Sequence, residues 1–154
     1  MSYNSLKIVP IDDVLFVLLV EFFGDIKDNE FFHPHSFEKD YIDELCEKSS
    51  KDLFYCLTSS NKVIAYGILR GWDDGWDDIC VGVIVRESER NNGYGELMMK
   101  FLCSVARLRS VKRLRLHVNP NNAAAFSLYE KLGYRFNGEM FNNERVGYYD
   151  IRNS

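Results

Sequence analysis

Apolar and polar positions alternate with two different periods along the chain, and the pattern predicts both strands and helices. Short apolar runs predict strands at 6–11, 53–58, 63–69, 78–86 and 113–118, and a final hairpin of 134–140 and 146–151. Helical spacing predicts one helix after Asp12, one after Ser36, one with apolar positions from Leu97 to Val105, and one over 122–132. Turns are predicted at Asn61-Lys62 and Asn142-Asn143, and Gly133 follows the last helix as a left-handed C′ residue. The order β-α-α-β-β-β-α-β-α-β-β predicts a mixed sheet with helices on both faces.

The strand at 78–86 is the centre of this pattern. It is apolar on both faces near its middle, so both faces should be covered. Together with the next helix and the strand at 113–118 it forms a crossover unit, which predicts a parallel strand pair. Gly82 interrupts the strand, and such a glycine marks either a bulge or a tight packing contact.

The loop between this strand and its helix carries candidate chemistry. It reads Arg90-Asn91-Asn92-Gly93-Tyr94-Gly95. The first turn of a helix has backbone N–H groups without partners, and the helix dipole adds positive potential there. Such a site suits a phosphate or pyrophosphate, and Arg90 adds a full positive charge. The loop is neither a Walker A sequence nor a GxGxxG fingerprint, because Met98 stands where the third glycine would fall.

Composition and charge narrow the class of protein. The 154 residues carry 19 Lys and Arg against 23 Asp and Glu, and this net charge of −4 argues against a nucleic-acid partner. The four cysteines have neither CxxC nor zinc-ligand spacing, so we expect free thiols in a reducing compartment and no metal. The longest apolar run near the N-terminus, 14–20, is too short to cross a bilayer and lacks signal-peptide features. We therefore expect one cytoplasmic domain over 1–154 with no membrane partner, as a monomer or homodimer.

The segment from Ile79 to Gly138 resembles the central motifs of the GNAT superfamily, the acyl-CoA-dependent N-acetyltransferases. The matching features begin with an apolar strand, Val83-Ile84-Val85, followed by the glycine loop from Arg90 to Gly95 and its helix. They continue with a second strand, Leu114 to Val118, then Asn122, and then a final helix that ends in Leu128-Tyr129-Glu130-Lys131-Leu132-Gly133-Tyr134. The chain departs from the family at Glu87 and Asn91, where Pro and Gly are frequent. The resemblance implies an α/β (α+β) fold with a mixed, mostly antiparallel seven-stranded sheet, four helices on its two faces and a splayed central parallel strand pair.

The resemblance also implies that acetyl-CoA is bound along the central strand. Backbone groups of Val83 and Val85 would pair with the pantetheine arm, and the amides from Asn91 to Glu96 would hold the pyrophosphate. Asn122 would fix the arm or the chain around it, and Phe126 would flank the arm or the adenine. The full expected set is Val83, Ile84, Val85, Arg90, Asn91, Asn92, Gly93, Tyr94, Gly95, Glu96, Asn122, Phe126 and Tyr129.

Two residues are candidates for acid–base chemistry. Tyr129 stands four residues before the glycine, where the family's general acid lies, and it would protonate the departing thiolate. Asp78 is the candidate base, because a Glu occupies the matching strand position in a histone-acetylating branch of the family. A water would have to bridge from the shorter Asp, and Asp77 or a loop His is an alternative base. Asp77 and Asp78 also suit plain solvated residues beside a strand.

The acceptor site is predicted from two aromatic segments. Trp72 and Trp76 lie among carboxylates in 72–78 and could attract a cationic amine, or simply anchor a polar loop. Phe32, His33 and His35 lie between the first two helices, a region that often lines the acceptor site in the family. His117 shares a strand face with Arg113 and Arg115 and is expected to be a structural partner.

The expected function is acetyl transfer from acetyl-CoA to a primary amine of a small molecule or amino sugar, by direct attack in a ternary complex. Two alternatives stay open. One is a non-catalytic acyl-CoA-binding sensor on the same fold, and the other is a protein or peptide N-acetyltransferase.

Overall fold

The structure, a computed structural model, describes residues 5–11, 16–25 and 51–151. The elements follow the predicted order: β1 (Leu6–Pro10), α1 (Phe16–Asp25), β2 (Leu53–Ser59), β3 (Lys62–Arg70), β4 (Ile79–Val85), α2 (Tyr94–Leu108), β5 (Arg113–Val118), α3 (Ala123–Lys131), β6 (Arg135–Phe141) and β7 (Glu144–Asp150). The helix predicted after Ser36 lies outside the described residues. The described part of the chain thus contains three of the four predicted α-helices.

The seven strands form one sheet in the order β1-β2-β3-β4-β5-β7-β6. Every neighbouring pair is antiparallel except β4 and β5, which are parallel. This parallel pair is short, because only Ile79↔Leu114 and Cys80↔Arg115 are in register. Beyond those two positions the strands diverge, so the expected splayed central pair is confirmed.

The divergence of β4 from β5 does not come from a bulge in β4 against β3. Their register runs without a shift from Ala65↔Val85 to Arg70↔Cys80, with Gly82 opposite Ile68. A bulge at Gly82 would have shifted this register. The bulge interpretation of Gly82 is therefore wrong for the β3–β4 ladder.

The two faces of the sheet are covered by different helices. On one face α2 packs Met99, Leu102 and Ala106 against the apolar residues of β5, and α3 adds half-buried side chains. On the other face α1 packs Leu19, Phe22 and Phe23 against β3 and β4. Side chains alternate strictly along β5, and Leu114, Leu116 and Val118 face α2. Arg113, Arg115 and His117 therefore lie on the opposite face of the sheet, the face that α1 covers.

Left-handed residues mark three of the turns. Asn142 (φ 48°) and Asn143 (φ 63°) join β6 to β7, as predicted, and Gly133 (φ 99°) follows α3, as predicted. The earlier hairpin turns at Ser60 (φ 47°) and Asn61 (φ 63°) instead of Asn61-Lys62. The prediction there was wrong by one residue, since β3 already begins at Lys62.

A buried arginine ties α1 to the end of β4. Arg86 is 2% exposed, and its Nε donates a hydrogen bond to the carbonyl of Val63 at 2.9 Å. Its two terminal nitrogens donate to both carboxylate oxygens of Glu21, at 3.0 and 2.7 Å, and to Asp25 at 2.8 Å. The Phe22 ring lies 5.3 Å from the guanidinium carbon. These contacts fix the position of α1 next to the loop that leaves β4.

Candidate functional site

A cleft of about 450 Å³ opens where β4 and β5 diverge. One wall is the edge of β4 at 81–85, and another is formed by α3 and its N-cap, including Asn122, Leu128 and Tyr129. The loop from Glu89 to the first turn of α2 closes one end. The cleft therefore joins the three segments that the sequence singles out: the central strand, the glycine loop and the last helix.

The loop after β4 has a backbone conformation that presents amide groups. Asn91 (φ 65°) and Gly93 (φ 85°) are both left-handed, and Gly93 is the N-cap of α2. Alternation of left-handed and ordinary residues makes a concave set of N–H groups that favours anions. A Cβ on Gly93 would meet no atom within 4 Å, so glycine is required there by its backbone angle and not by crowding. Asn92 is not among the lining residues, and its side-chain amide donates to the carbonyl of Glu89 at 3.3 Å.

The charges around this loop favour an anionic ligand. Arg90 lines the cleft and its Nε donates to the carbonyl of Val85 at 3.1 Å, which holds the guanidinium at the end of β4. Glu96 also lines the cleft, but it pairs with Lys131 at 2.9 Å and Lys100 at 3.0 Å. The hydrogen bond from Lys131, followed by that from Lys100, lowers the pKa of Glu96. The negative charge of Glu96 is thus matched by two lysines on the rim.

Tyr129 lies in the cleft wall with a half-buried side chain. Its ring is 6.0 Å from that of Tyr134, and within the described part of the chain its hydroxyl makes no hydrogen bond. Burial, assisted by the charge of Glu144, raises the pKa of Tyr129 to about 12. The phenol is therefore neutral at physiological pH and is a hydrogen-bond donor facing the space between β4 and β5.

Asp78 is not among the residues that line the cleft. It precedes β4 and accepts two hydrogen bonds from Arg113, from Nε at 3.0 Å and from a terminal nitrogen at 2.5 Å. This two-point ion pair holds the carboxylate against Arg113. The three residues from Asp78 to Val81 span about 10 Å of strand, so any base role needs a chain of water molecules. The role of Asp78 as base stays a prediction.

The structure separates some of the other predicted binding residues from the cleft. Asn122 does line it, and its side-chain oxygen accepts the N–H of Ala125 at 3.2 Å, which makes it the N-cap of α3. Phe126 does not line it and packs against Phe136 and under Arg145. The remaining predicted positions, by contrast, all line the cleft: Val83, Ile84, Val85, Asn91, Tyr94 and Gly95.

Hydrogen bonds of Asp73 tie the acidic loop at 72–78 to the residues just before β2. Asp73 accepts N–H groups of Lys51 and Asp52, and Asp52 accepts those of Gly71 and Asp73. Trp72 packs against the core under α2, whereas Trp76 is 44% exposed with the guanidinium carbon of Arg70 5.3 Å from its ring. Neither tryptophan lines the cleft. The other predicted acceptor residues, Phe32, His33 and His35, lie outside the described residues.

His117, expected from the sequence to be a structural partner, belongs to the cleft. It lines the cleft from β5, and its Nε2 accepts a hydrogen bond from Nε of Arg115 at 3.0 Å. That bond places the hydrogen of a neutral imidazole on Nδ1. Burial and then the charge of Arg115 lower the pKa of His117, so the ring is neutral at pH 7. Alternation along β5 put His117 on the correct face, but only the parting of the strands makes that position part of a cleft.

Membrane-spanning helices and metal-binding clusters are both absent from the described residues. None of the helices at 16–25, 94–108 and 123–131 is long and apolar enough to cross a membrane. In the same residues no group of three or more His, Cys, Asp or Glu side chains is placed to hold a metal ion. Cys80 and Cys103 are free thiols.

Comparison with known proteins gives a consistent family. The sequence model of the Acetyltransferase (GNAT) family matches residues 19–134. The spermine/spermidine N(1)-acetyltransferase of Bacillus subtilis is 39% identical over 64 residues, which is 40% of this chain and 42% of that protein. The chain thus spans about two fifths of the length of this curated relative.

Solved structures share the whole fold at low sequence identity. The GNAT domain of S. lividans PAT has a TM-score of 0.81 at 16% identity, covering 94% of this chain and 90% of its own. The PaiA N-acetyltransferase of Thermoplasma acidophilum, solved in complex with coenzyme A, has a TM-score of 0.77 at 14% identity, covering 95% and 99%. At these identities the likeness concerns the fold alone.

Proposed function

Because the chain belongs to the GNAT acetyltransferase family, we propose that it transfers an acetyl group from acetyl-CoA to the primary amine of a small molecule, by direct attack in a ternary complex. The observation that carries the proposal is the parting of β4 and β5 after two paired positions. The parting leaves the edge of β4, the amide-rich loop and Tyr129 around one space. The match to a spermine/spermidine acetyltransferase supports a small amine as acceptor.

The residues of the cleft fit acetyl-CoA on three counts. The part of β4 at 81–85 has no strand partner on the β5 side within the described sheet, so an extended pantetheine arm can pair with it. The left-handed Asn91 and Gly93 and the first turn of α2 offer amides to a pyrophosphate. Arg90 adds positive charge, and the pairing of Glu96 with two lysines removes a repulsion. Phe126 does not line this space and packs against Phe136.

When bound, acetyl-CoA supplies the activated acetyl group as a thioester. Val83 to Val85 line the cleft, and their backbone N–H groups on that edge would stabilise negative charge on the acyl oxygen. Tyr129, neutral at physiological pH, donates a hydrogen bond to the departing sulfur. These two contributions come from rigid elements, a strand and a helix, so no side chain has to reorganise during the reaction.

The acceptor must lose a proton before or during attack. An amine with a pKa of ~10.4 is neutral in about one molecule in 2,500 at pH 7, which corresponds to roughly 4.6 kcal/mol. Asp78 through a water chain is the predicted base, and His117 is the titratable imidazole in the cleft wall. The lone pair on Nε2 of His117 is engaged by Arg115, so His117 accepts a proton only when that bond opens.

Release of free thiol from acetyl-CoA over a panel of amines tests the proposal directly. We expect turnover with at least one small primary amine, and a rise in melting temperature with acetyl-CoA alone. Stabilisation by acetyl-CoA without turnover of any amine would show a binding protein instead of an enzyme. Turnover restricted to peptide N-termini would show a protein acetyltransferase. Absence of both acetyl-CoA binding and turnover would contradict the proposal that acetyl-CoA is the acetyl donor.

A further inference from the structure

We propose that Arg115 forms an anion-binding site for the acceptor, so that the preferred acceptor is an amine that also carries a carboxylate or phosphate group. This inference rests on the proposed acetyl transfer and names the class of its acceptor. It concerns the face of the sheet opposite α2, where the side chains of β5 lie beside the cleft.

The setting of Arg115 favours a bound anion. Its side chain is half-buried, its Nε donates to His117 at 3.0 Å, and its guanidinium carbon lies 5.4 Å from the Phe141 ring and 6.0 Å from the Tyr148 ring. Its two terminal nitrogens make no hydrogen bond to any residue in 5–11, 16–25 or 51–151. These nitrogens carry four N–H groups in a planar fork, the geometry that binds carboxylate and phosphate at two points.

No carboxylate of the described residues forms an ion pair with Arg115. Asp78 acts on Cys80 and Glu139 on His117, and Asp150 lies on the same face opposite Arg113. Asp78 receives both hydrogen bonds of its ion pair from Arg113, and Glu139 accepts the hydroxyl of Tyr148 at 2.6 Å.

Arg70 adds a second positive charge to the electrostatic field beside Arg115. Arg70 and Arg115 both act on the thiol of Cys80, and both lower the pKa of His117. The face beside the cleft therefore holds two neighbouring guanidinium groups around Cys80 and His117. A polycationic acceptor would be repelled there, and an anionic group would be attracted.

The distance from Arg115 to the cleft suits a small bifunctional acceptor. Arg115 and His117 are two residues apart on one strand face, which is about 7 Å. His117 lines the cleft and Arg115 is in register with Cys80, the last paired position before the strands part. An anion held by Arg115 would place an amine several bonds away in the space beside His117.

Matched acceptor pairs that differ by one anionic group test the inference. We would compare lysine with 1,5-diaminopentane for a carboxylate, and an amino sugar with its phosphate ester for a phosphate, with spermidine as the polycation. The wild type should show a higher kcat/KM for the anionic member of at least one pair. The pair that responds tells which anion the site takes.

Arg115→Gln and Arg115→Lys complete the test. Loss of a charge-assisted contact should raise the KM of the anionic acceptor roughly 10- to 100-fold in Arg115→Gln and less in Arg115→Lys, with the KM of acetyl-CoA unchanged. The matched control is Arg109→Gln, an exposed arginine at the end of α2 on the opposite face, which should leave all constants unchanged.

The outcomes separate this inference from the proposed function. Preference for spermidine over every anionic amine, or an unchanged KM in Arg115→Gln, would overturn the anion site while leaving the acetyltransferase intact. A rise in the KM of acetyl-CoA alone would also overturn it, by assigning Arg115 to the acetyl donor. Absence of turnover with all amines would instead contradict the proposed function.

Discussion

Replacement of Tyr129 by Phe removes one hydroxyl from the cleft and leaves the ring in place. The side chain is half-buried in the wall formed by α3, and its ring packs 6.0 Å from that of Tyr134. The hydroxyl makes no hydrogen bond within the described residues, so the folded protein should lose less than about 1 kcal/mol of stability. A change in rate would therefore report on chemistry and not on folding.

The size of the rate effect follows from the raised pKa of Tyr129. A pKa of about 12 lies roughly 3.5 units above that of an ordinary thiol at ~8.5, so complete proton transfer to the leaving sulfur is uphill by about 5 kcal/mol. Tyr129 therefore acts by donating a hydrogen bond to the developing charge. Loss of one such preorganised donor costs on the order of 10²- to 10³-fold in acyl transfer.

The assay is steady-state thiol release with acetyl-CoA and the best amine, for the wild type and Tyr129→Phe. We expect kcat to fall by roughly 10²-fold, because the lost bond is made to the transition state. The KM of acetyl-CoA should stay within about twofold. Tyr134→Phe is the matched control, since this buried tyrosine contacts the Tyr129 ring but does not line the cleft. An unchanged kcat in Tyr129→Phe, or an equal loss in both variants, would refute the reasoning.

Three further predictions concern the loop, the buried arginine and the cleft histidine. Gly93→Ala should cost about 1 kcal/mol, because its φ is 85°, and should weaken acetyl-CoA binding by calorimetry. Gly24 lies in α1, and a Cβ there would meet no atom within 4 Å, so Gly24→Ala should instead stabilise the protein by up to about 1 kcal/mol. Equal effects of the two glycine substitutions on stability would contradict the argument from the backbone angle of Gly93. Arg86→Met should lower the free energy of unfolding in urea by about 2 kcal/mol, because the charge-assisted hydrogen bonds are lost while the carboxylates left behind are more than half exposed. A loss below about 0.5 kcal/mol would show that its ion pairs are unimportant. His117 has a lowered pKa, so the unfolded chain binds a proton at a higher pH than the folded chain does, and stability should fall as the pH drops below 6.5. His117→Gln should reduce this pH dependence of the free energy of unfolding in urea, and an unchanged dependence would exclude burial of His117 as its cause.

Local signals in the sequence were sufficient for most of the sheet. Strict alternation gave β5 and its two faces, and the asparagine pair at 142–143 gave the last hairpin, because both depend on neighbours along the chain. The hairpin between β2 and β3 was misplaced by one residue. Ser60 adopts φ 47° there although serine carries no strong preference for that region, so composition alone favoured the wrong pair.

The site was predictable where backbone groups form it and less so where side chains meet across the sheet. Glycine spacing identified the loop at Gly93, because glycine is the residue type that most readily adopts left-handed backbone angles. The ion pair of Asp78 with Arg113 joins residues 35 positions apart, and no local pattern reveals it. The same holds for His117, whose place in the cleft depends on where β4 leaves β5.

Hydrogen exchange measured along the backbone with and without acetyl-CoA tests the central claim most directly. Acetyl-CoA should slow exchange at 81–85 in β4 and at 91–96 in the loop and first turn of α2, while β1 and β2 are unaffected. Protection confined to other segments, or no protection at a concentration that saturates turnover, would contradict the assignment of the cleft between β4 and β5 as the acetyl-CoA site.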